Sequence, residues 1–512
     1  MTDGAENALF CVAETTAGRV QGLVTGPIRQ FKAIPYGAPT GGRSRFMPPK
    51  KPPGWRGLRE CFGYGPVSPQ VPTAIENVYG QLIHYDLAVT QGGMGEDCLH
   101  LNVWTPGLCD GGKRPVLVSL HGGGFHISSG NGTMYDGAQL ARHGNAVVVS
   151  VTHRLASFGF LDLADVGAPA EFRHAGVAGI MDLVCALEWV RDNIENFGGD
   201  PDCVTIFGQS GGGWKTSVLL GTPAARGLFH RAAVQSGSQL RLQTREEAAA
   251  ASWALLRKLG LSKSNMATIG DLPWQTLLAA QTEIGALAFG PVLDGDYFTH
   301  HPFDPEAPEE SADIPLIVST TLDDAGLFFN NFDLDEAGLE AVLAARYGGT
   351  GGEILRLYRS KWPDKPPFLL QAQIVTDGGF RRYANLQAEA KARRGRAPVY
   401  MYRWDSASPV FGGRFGAVHA SDVSASLANV RDAIVGAGTG QGRMLCEALS
   451  AAWVAFAATG DPNTHRLPSW PAFDTATRAV MILDHQSRVE SDPHGDIWSF
   501  WNGMPFVANI YW

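Results

Sequence analysis

The sequence is 512 residues long and 45% hydrophobic, which is ample for a large buried core. Its 41 basic and 50 acidic residues give a formal net charge of −9, with no basic block of the kind that binds nucleic acid or anionic lipid. Neither a signal peptide nor a run of ~20 apolar residues is visible, so we expect a cytoplasmic protein with no nucleic-acid or membrane partner.

Apolar runs typical of buried strands alternate with helical stretches along the chain. In chain order the runs are "PVLVSLHGGG" (115–124), "NAVVVSVTHR" (145–154), "CVTIFG" (203–208), "HRAAVQSGS" (230–238), "IPLIVSTT" (314–321) and "APVYMYRW" (397–404). Apolar residues at helical spacing predict a helix over 179–194. Strands separated by helices indicate a largely parallel sheet with helices on both faces. Because no low-complexity linker interrupts the series, residues 1–512 are expected to form a single α/β domain with insertions.

The stretch "FGQSGGGWKT" (207–216) fits two different motifs. It contains G-x-S-x-G, the turn that presents a nucleophilic serine between a strand and a helix, and Ser210 has that context. Without Trp214 it would also be a phosphate-binding P-loop, but that loop needs glycine directly before its lysine. Trp214 moves Lys215 by about 100° around a helix. We therefore expect Ser210 to be a nucleophile with strained backbone angles, and an inert turn is the remaining alternative.

Four glycines lie around the serine in this stretch, one before it and three after it. Gly208 and Gly212 are predicted to let the strand and the helix approach without a clash of Cβ atoms, whereas Gly213 is one glycine more than the motif demands. Gly211 follows the nucleophile directly, and its N–H is a candidate donor to the oxyanion that forms in acyl transfer.

The segment "HGGGF" (121–125) follows the apolar strand "VLVSL". Lipases and esterases carry an HGGG-type loop at this place, where bare backbone N–H groups point at the oxyanion. Gly123 and Gly124 are therefore predicted to form an oxyanion hole together with Gly211. The alternative is a glycine-rich turn with no catalytic role.

These motifs belong to a larger set that resembles the type-B carboxylesterase family of α/β hydrolases, above all its bacterial members. In family order the set comprises "FKAIPYGAPTGGRSRFMPP", "EDCLHLNVWTP", "HGGGF", "THRLASFGFL", "LEWVRDNIENFGGDP", the serine motif, "GLFHRAAVQSGS" and "AWVAFAATGDPN". The resemblance implies an α/β-hydrolase fold, with a central mostly parallel sheet flanked by helices, a small N-terminal antiparallel sheet and helical insertions.

The same resemblance supplies partners for the serine. The family carries its acid in a segment that here reads "TTLDDAGLFF" (320–329), which puts Asp324 at the acid position and leaves Asp323 as the alternative. The family's histidine corresponds to His419 in "FGAVHASDV". The order Ser210, Asp324, His419 is that of α/β hydrolases.

A Ser-His-Asp triad implies hydrolysis of carboxylic esters through an acyl-enzyme, with no metal or organic cofactor. The expected partner is a small-molecule ester, and the protein is expected to be a monomer or a weak homo-oligomer. Amides, thioesters and carbamates would use the same chemistry. A non-enzymatic binding protein of this fold is a more distant alternative.

The sequence departs from the family at several positions. Gln209 stands where a glutamate is common, which removes a negative charge from beside the histidine. No tryptophan lies between residues 68 and 98, so choline esters are not expected. Ser68 replaces the cysteine that pairs with the cysteine of "EDC" in secreted members, and reduced thiols are expected for all seven cysteines.

Four side chains that flank the motifs are candidates for the substrate pocket: Phe125, His126, Trp214 and Phe328. Packing in the core is the alternative for each of them. The segment 70–95 matches no motif and is a candidate for the rim of the pocket.

Overall fold

The computed structural model describes residues 9–71, 78–83, 91–436 and 438–505 of the protein. Within these residues, thirteen strands pair into one sheet. In chain order the strands are β1 (Phe10–Thr15), β2 (Gly18–Thr25), β3 (Ile28–Pro35), β4 (Leu58–Glu60), β5 (His100–Thr105), β6 (Arg114–Leu120), β7 (Val147–Val151), β8 (Gly199–Gln209), β9 (Arg231–Gln235), β10 (Leu316–Thr321), β11 (Val399–Trp404), β12 (Ala479–Leu483) and β13 (Arg488–Ser491).

The middle of the sheet is parallel, in the order β7-β6-β8-β9-β10-β11-β12. Six of these strands, β6 to β11, coincide with the six apolar runs predicted from the sequence. Every residue of β7 and of β10 is buried, as expected for strands covered on both faces. The predicted parallel sheet is therefore confirmed.

The N-terminal strands form the antiparallel part of the sheet. β1, β2, β3 and β5 pair antiparallel in that order, and β5 then pairs antiparallel with β7 through Leu101 and Val151. The short strand β4 adds to β2, and β13 closes the opposite edge beside β12. The predicted antiparallel strands are thus continuous with the parallel ones.

Helices cover both faces of the sheet. Their bounds are Val78–Leu82, Ala138–Gly144, Ala156–Phe160, Ala178–Asn193, Gly211–Leu220, Arg245–Lys258, Trp274–Ile284, Glu336–Tyr347, Gly351–Lys361, Pro367–Thr376, Arg382–Arg394, Val423–Ser426, Gly440–Thr459 and Gly495–Gly503. The helix predicted over 179–194 is Ala178–Asn193. No helix in the described ranges is long and apolar enough to cross a bilayer.

Two hydrophobic cores lie on opposite faces of the sheet. Val116 and Val118 of β6 belong to one core, and Leu117 between them belongs to the other. Alternate residues of a strand point to opposite faces, so this division shows that both faces are buried. The predicted helical insertions lie between β9 and β10 and between β10 and β11.

Candidate active site

Ser210 lies in the turn between β8 and the helix Gly211–Leu220, which we call the elbow helix. Its backbone angles are φ 57° and ψ −123°, a region that residues with a side chain rarely occupy. The N–H of Ser210 donates to the carbonyl of Gln235 at the end of β9, 2.8 Å away. The strained turn predicted from the sequence is therefore confirmed, and it is tied to the neighbouring strand.

The glycines around Ser210 are needed for close packing. A Cβ atom at Gly208 would lie 2.5 Å from the carbonyl carbon of Gly212, and one at Gly212 would lie 2.0 Å from the carbonyl oxygen of Leu120. Gly213, which the serine motif itself does not demand, also lies in close contact with its surroundings. A Cβ atom there would lie 2.7 Å from the Cα of Gly237, because the elbow helix packs directly on the loop after β9.

The glycine loop (121–125) packs directly against the residue after Ser210. Gly123 and Gly124 have φ of +80° and +63°, and a Cβ atom on Gly211 would lie 2.1 Å from the nitrogen of Gly124. Within the described residues, the N–H groups of Gly123, Gly124 and Gly211 donate no hydrogen bond. Backbone donors inside a protein are rarely left without an acceptor. Donors of this kind, one of them at a helix N-terminus, suit an anionic oxygen.

The orientation of two of these donors is fixed by their own peptide units. Nδ1 of His121 lies 2.8 Å from the oxygen of Gly122, and the oxygen of Gly123 accepts from the N–H groups of His126 and Ile127 at 3.2 and 3.0 Å. A trans peptide points its N–H away from its C=O. Holding these two carbonyls therefore fixes the direction of the N–H groups of Gly123 and Gly124, which point away from them.

Tyr135 adds a further contact to the glycine loop. Its hydroxyl accepts the N–H of Gly122 at 2.7 Å, and burial raises the pKa of this phenol to about 12. The N–H of Gly122 therefore has an acceptor, unlike the N–H groups of Gly123 and Gly124. No sequence motif marks Tyr135, because it lies thirteen positions beyond Gly122.

His419 and Asp324 form a buried pair. Nδ1 of His419 lies 2.6 Å from Oδ1 of Asp324, and the two residues are 3% and 0% exposed. The other carboxylate oxygen of Asp324 accepts from the Ser236 hydroxyl at 3.0 Å and from the Thr321 N–H at 2.9 Å. The carboxylate is thus held from both sides, and Nε2 of the imidazole is left for a proton from a nucleophile.

Asp323, the alternative acid, has other partners. Its Oδ1 lies 2.6 Å from Nζ of Lys365, and its Oδ2 accepts the N–H of Ala417 at 3.0 Å. Burial raises the pKa of Asp323, and the neighbouring Lys365 opposes that shift. Asp323 therefore connects the loop of the acid to the loop of the histidine without touching the imidazole.

The serine lies at the same edge of the sheet as this pair. Gln235 accepts the N–H of Ser210, and the next residue, Ser236, donates to Asp324. In the part of the chain that the structure describes, the Ser210 hydroxyl has no hydrogen-bond partner. The structure therefore pairs His419 with Asp324 but not with Ser210. Nucleophile–base contacts are often long in free enzymes and shorten in the reacting complex.

Two phenylalanines lie on the histidine side of the site. The ring of Phe380 is 5.0 Å from that of His419, and Phe328 stacks on Phe380 at 6.1 Å. Phe380 belongs to a π-helical turn, Asp377–Arg381, between two α-helices. Such turns are frequent at functional sites, but no sequence motif marks this one, and Phe380 was missed.

The other candidate pocket residues cluster beside the glycine loop. Phe125 is 4% exposed and packs against Phe160 at 5.2 Å, as expected for a core residue. Trp214 is half-buried and lies 5.7 Å from Phe125 and 6.4 Å from His126. His126 is buried, and burial together with the nearby Lys215 lowers its pKa to about 3. His126 is therefore neutral in the folded protein.

Several further predictions concern residues around the site. Gln209 is 3% exposed, and its amide nitrogen has no partner among the described residues. All seven cysteines are free thiols. No cluster of potential metal ligands occurs in the described ranges. Of the candidate rim, residues 72–77 and 84–90 lie outside the described residues.

Comparison with known proteins gives matches along nearly the whole chain. The family model described as "Carboxylesterase family" matches residues 11–347 and 371–501. The para-nitrobenzyl esterase of Bacillus subtilis (strain 168) is 34% identical over 497 residues, which cover 95% of this chain and 97% of that protein. The phenmedipham hydrolase of Pseudarthrobacter oxydans is 34% identical over 503 residues, covering 94% and 97%.

Solved structures agree with these matches. The crystal structure of the Geobacillus stearothermophilus carboxylesterase EST55 at pH 6.2 superposes with a TM-score of 0.83 at 35% identity, covering 96% of this chain and 99% of that one. An esterase from Clostridium hathewayi, titled as able to hydrolyse aliphatic aromatic polyesters, gives a TM-score of 0.81 at 31% identity and covers 96% and 98%. The α/β-hydrolase architecture expected from the sequence is thus shared with these structures.

Proposed function

The chain belongs to the carboxylesterase family, and on that premise we propose that it hydrolyses carboxylic esters with Ser210, His419 and Asp324 as its triad. The observation that carries this assignment is the convergence at one edge of the sheet. The strained serine is followed by Gly211, which packs against Gly124, and the N–H groups of Gly123, Gly124 and Gly211 have no acceptor among the described residues. The strand next to the serine leads to a buried carboxylate that is paired with a histidine. These are the groups that acyl transfer through a serine requires.

The first half of the reaction forms an acyl-enzyme. Nε2 of His419 accepts the proton of the Ser210 hydroxyl while the oxygen attacks the ester carbonyl carbon. The carbonyl electron pair moves to oxygen, and the N–H groups of Gly123, Gly124 and Gly211 bind the resulting oxyanion. Asp324 holds the imidazole in the required tautomer and stabilises its cation. When the intermediate collapses, the bond to the alkoxy oxygen breaks and His419 gives that oxygen its proton.

The second half releases the acid. A water molecule gives a proton to His419 and attacks the acyl carbon, and the oxyanion forms again in the same site. Collapse breaks the bond to the serine oxygen, which recovers its proton from the imidazole. The net reaction consumes one ester and one water, and it yields one alcohol and one carboxylic acid.

The proposed substrate is a small-molecule ester. Relatives named para-nitrobenzyl esterase and carboxylesterase support this class. Amides, thioesters and carbamates would form the same acyl-enzyme, and kinetics on matched ester, thioester and amide substrates rank them. We also propose one domain for residues 1–512, since strands from Phe10 to Ser491 share a sheet, and a monomer or weak homo-oligomer. The free cysteines support the predicted cytoplasmic location.

The assignment is tested with the purified protein and a p-nitrophenyl ester. Ser210→Ala is expected to lower kcat by several orders of magnitude, on the order of the ~10⁶ measured for removal of such a serine in another hydrolase. The hydroxyl of Ser499 donates to the carbonyl of Gly495 within the helix Gly495–Gly503. Ser499→Ala is therefore the matched control and should keep full activity. Near-normal turnover by Ser210→Ala would refute the proposal.

A further inference from the structure

Lys215 is a buried amine with no carboxylate partner among the described residues. It lies in the elbow helix, has no exposed surface, and forms no ion pair with any described carboxylate. Burial alone lowers its pKa well below the ordinary lysine value. Removing an ammonium group from water costs several kcal/mol unless its contacts compensate. A methionine would fill a similar volume without that cost, so the contribution specific to lysine lies in its hydrogen bonds.

Those hydrogen bonds go to the glycine loop of the candidate oxyanion hole. Nζ of Lys215 donates to the carbonyl oxygen of His121 at 2.8 Å and to that of Gly124 at 2.7 Å. The two carbonyls lie at the two ends of the turn that contains Gly123. Lys215 is itself four residues beyond Gly211, which carries the third unpaired N–H. One side chain thus joins the glycine loop to the elbow helix.

Every other carbonyl of this loop has its own donor. The oxygen of Gly122 faces Nδ1 of His121, and the oxygen of Gly123 accepts two backbone N–H groups. Loss of the lysine would leave the carbonyls of His121 and Gly124 without their only side-chain donor among the described residues. The peptide after Gly124 could then rotate, and the N–H of Gly124 would move relative to Gly211.

The described residues around Lys215 offer no substitute for this donor. His121 stacks on His153 at 5.1 Å, and burial lowers the pKa of both rings well below the ordinary histidine value. His126 is neutral for the same reason. The groups facing Lys215 are therefore imidazoles and backbone carbonyls, and among the described residues the Lys215 amine is the side-chain donor that spans both ends of the turn.

We propose that Lys215 is a positioning residue that locks the glycine loop to the elbow helix, so that the three free N–H groups meet a single oxygen atom. The inference rests on the proposed esterase function. Lys215 touches neither the serine oxygen nor the substrate, and it acts through the loop. Its loss should weaken binding of the transition state and leave binding of the ester ground state nearly intact.

The experiment measures kcat and KM of Lys215→Met on a p-nitrophenyl ester. We expect kcat to fall about 10²- to 10³-fold, the size seen when an oxyanion donor is lost, with KM within about threefold of the wild type. The inhibition constant of a trifluoromethyl ketone, which forms the tetrahedral adduct, should rise by a similar factor. Inhibition by the product carboxylate, which mimics the ground state, should change little.

A second buried lysine provides the matched control. Lys391 is 2% exposed and also donates to two carbonyls, those of Ser311 and Ala312, at a distance from the site. Lys391→Met should change thermal stability but neither kcat nor the affinity for the ketone. If Lys391→Met loses as much kcat as Lys215→Met, or if Lys215→Met keeps wild-type kcat, the inference is overturned.

Two further outcomes are distinguishable. If Lys215→Met fails to fold, Lys215→Gln is tested in its place. Glutamine retains an amide donor of shorter reach, and this variant must also show a lowered kcat with an unchanged KM. A glutamine variant with wild-type kcat and ketone affinity counts against the inference. If Ser210→Ala itself is active, the proposed function fails, whereas an inactive Ser210→Ala beside an unimpaired Lys215 variant rejects only the role of Lys215.

Discussion

The carboxylate of Asp324 accepts hydrogen bonds at both of its oxygens, from His419 Nδ1 at 2.6 Å on one side and from the Ser236 hydroxyl at 3.0 Å on the other. The residue before it, Asp323, binds Lys365 at 2.6 Å. Two adjacent aspartates thus have separate partners, and exchanging each for asparagine should give different results.

Asp324→Asn should lower kcat by about 10⁴-fold, because an amide presents its NH₂ group to Nδ1 and favours the wrong tautomer of His419. The thermal unfolding midpoint should move little, since size and shape are retained. Steady-state kinetics and a thermal melt on the same preparation check both parts. A kcat close to the wild type would remove Asp324 from the proposed triad.

Asp323→Asn should act mainly on stability. It removes the negative charge that faces Lys365, whose side chain is 13% exposed, and leaves one amide oxygen to serve both Lys365 and the N–H of Ala417, while Gln373 still accepts from Lys365 at 2.7 Å. Breaking a buried pair costs about 3–5 kcal/mol, and the remaining acceptor should reduce this to about 2–3 kcal/mol. Denaturant unfolding measures the loss, and kcat should fall by less than tenfold. If Asp323→Asn impairs kcat more than Asp324→Asn does, the acid has been assigned to the wrong residue.

Ser236→Ala removes one donor from the buried Asp324 carboxylate. A hydrogen bond to a charged group is worth about 1.5–3 kcal/mol, so we expect kcat to fall about tenfold or more while KM stays similar. Ser238 is the matched control, because it is buried close by and its hydroxyl has no partner among the described residues. Ser238→Ala should leave kcat within about twofold. Equal effects of the two variants would contradict a specific role for Ser236.

Much of the site could be predicted because its parts lie in consecutive residues. The turn of Ser210 and the loop of Gly123 and Gly124 each follow a strand. Apolar runs in the sequence predict these strands. The choice between Asp323 and Asp324 came from resemblance alone, and the distances separate the two. Which of the two adjacent aspartates faces the histidine depends on the geometry of the loop, and the composition of the sequence does not specify that geometry.

The residues that were missed act across the fold. Tyr135 contacts Gly122 from a separate segment, and Phe380, which lies in a π-helical turn, contacts the ring of His419. Lys215 was considered only as a phosphate ligand, since a sequence does not reveal which carbonyls a buried amine will meet. The contacts of side chains that belong to no motif can be assigned only when the positions of the strands in the fold are known.

Gly213 shows the same limit and gives a further prediction. Gly213→Ala would put a Cβ atom 2.7 Å from the Cα of Gly237, a backbone contact with no flexible side chain to yield. The elbow helix must then move away from the loop after β9, so both the melting temperature and kcat should fall. Gly349→Ala is the control, because open space surrounds that position and its φ is not in the left-handed region. A Gly213→Ala variant as stable and active as Gly349→Ala would show that the helix can shift without cost.

The buried Lys391 should make stability depend on alkaline pH. Burial lowers its pKa from 10.5 to about 8, Arg394 and Arg396 contribute in the same direction, and Asp313 opposes them. Between pH 8 and 10.5 the unfolded chain therefore binds a proton at this lysine that the folded protein does not. Stability from this group is present above pH 10.5 and is lost as the pH falls through 8.

The effect is measured as a difference between two proteins. Unfolding free energies of the wild type and of Lys391→Met are compared from pH 7 to pH 10, which cancels the titration of the other groups. The wild type should gain on the variant by at most about 3 kcal/mol over this range, at 1.4 kcal/mol per pKa unit. A difference that stays constant with pH would mean that Lys391 is charged in the folded protein throughout. Its hydrogen bonds to Ser311 and Ala312 would then hold an ammonium group.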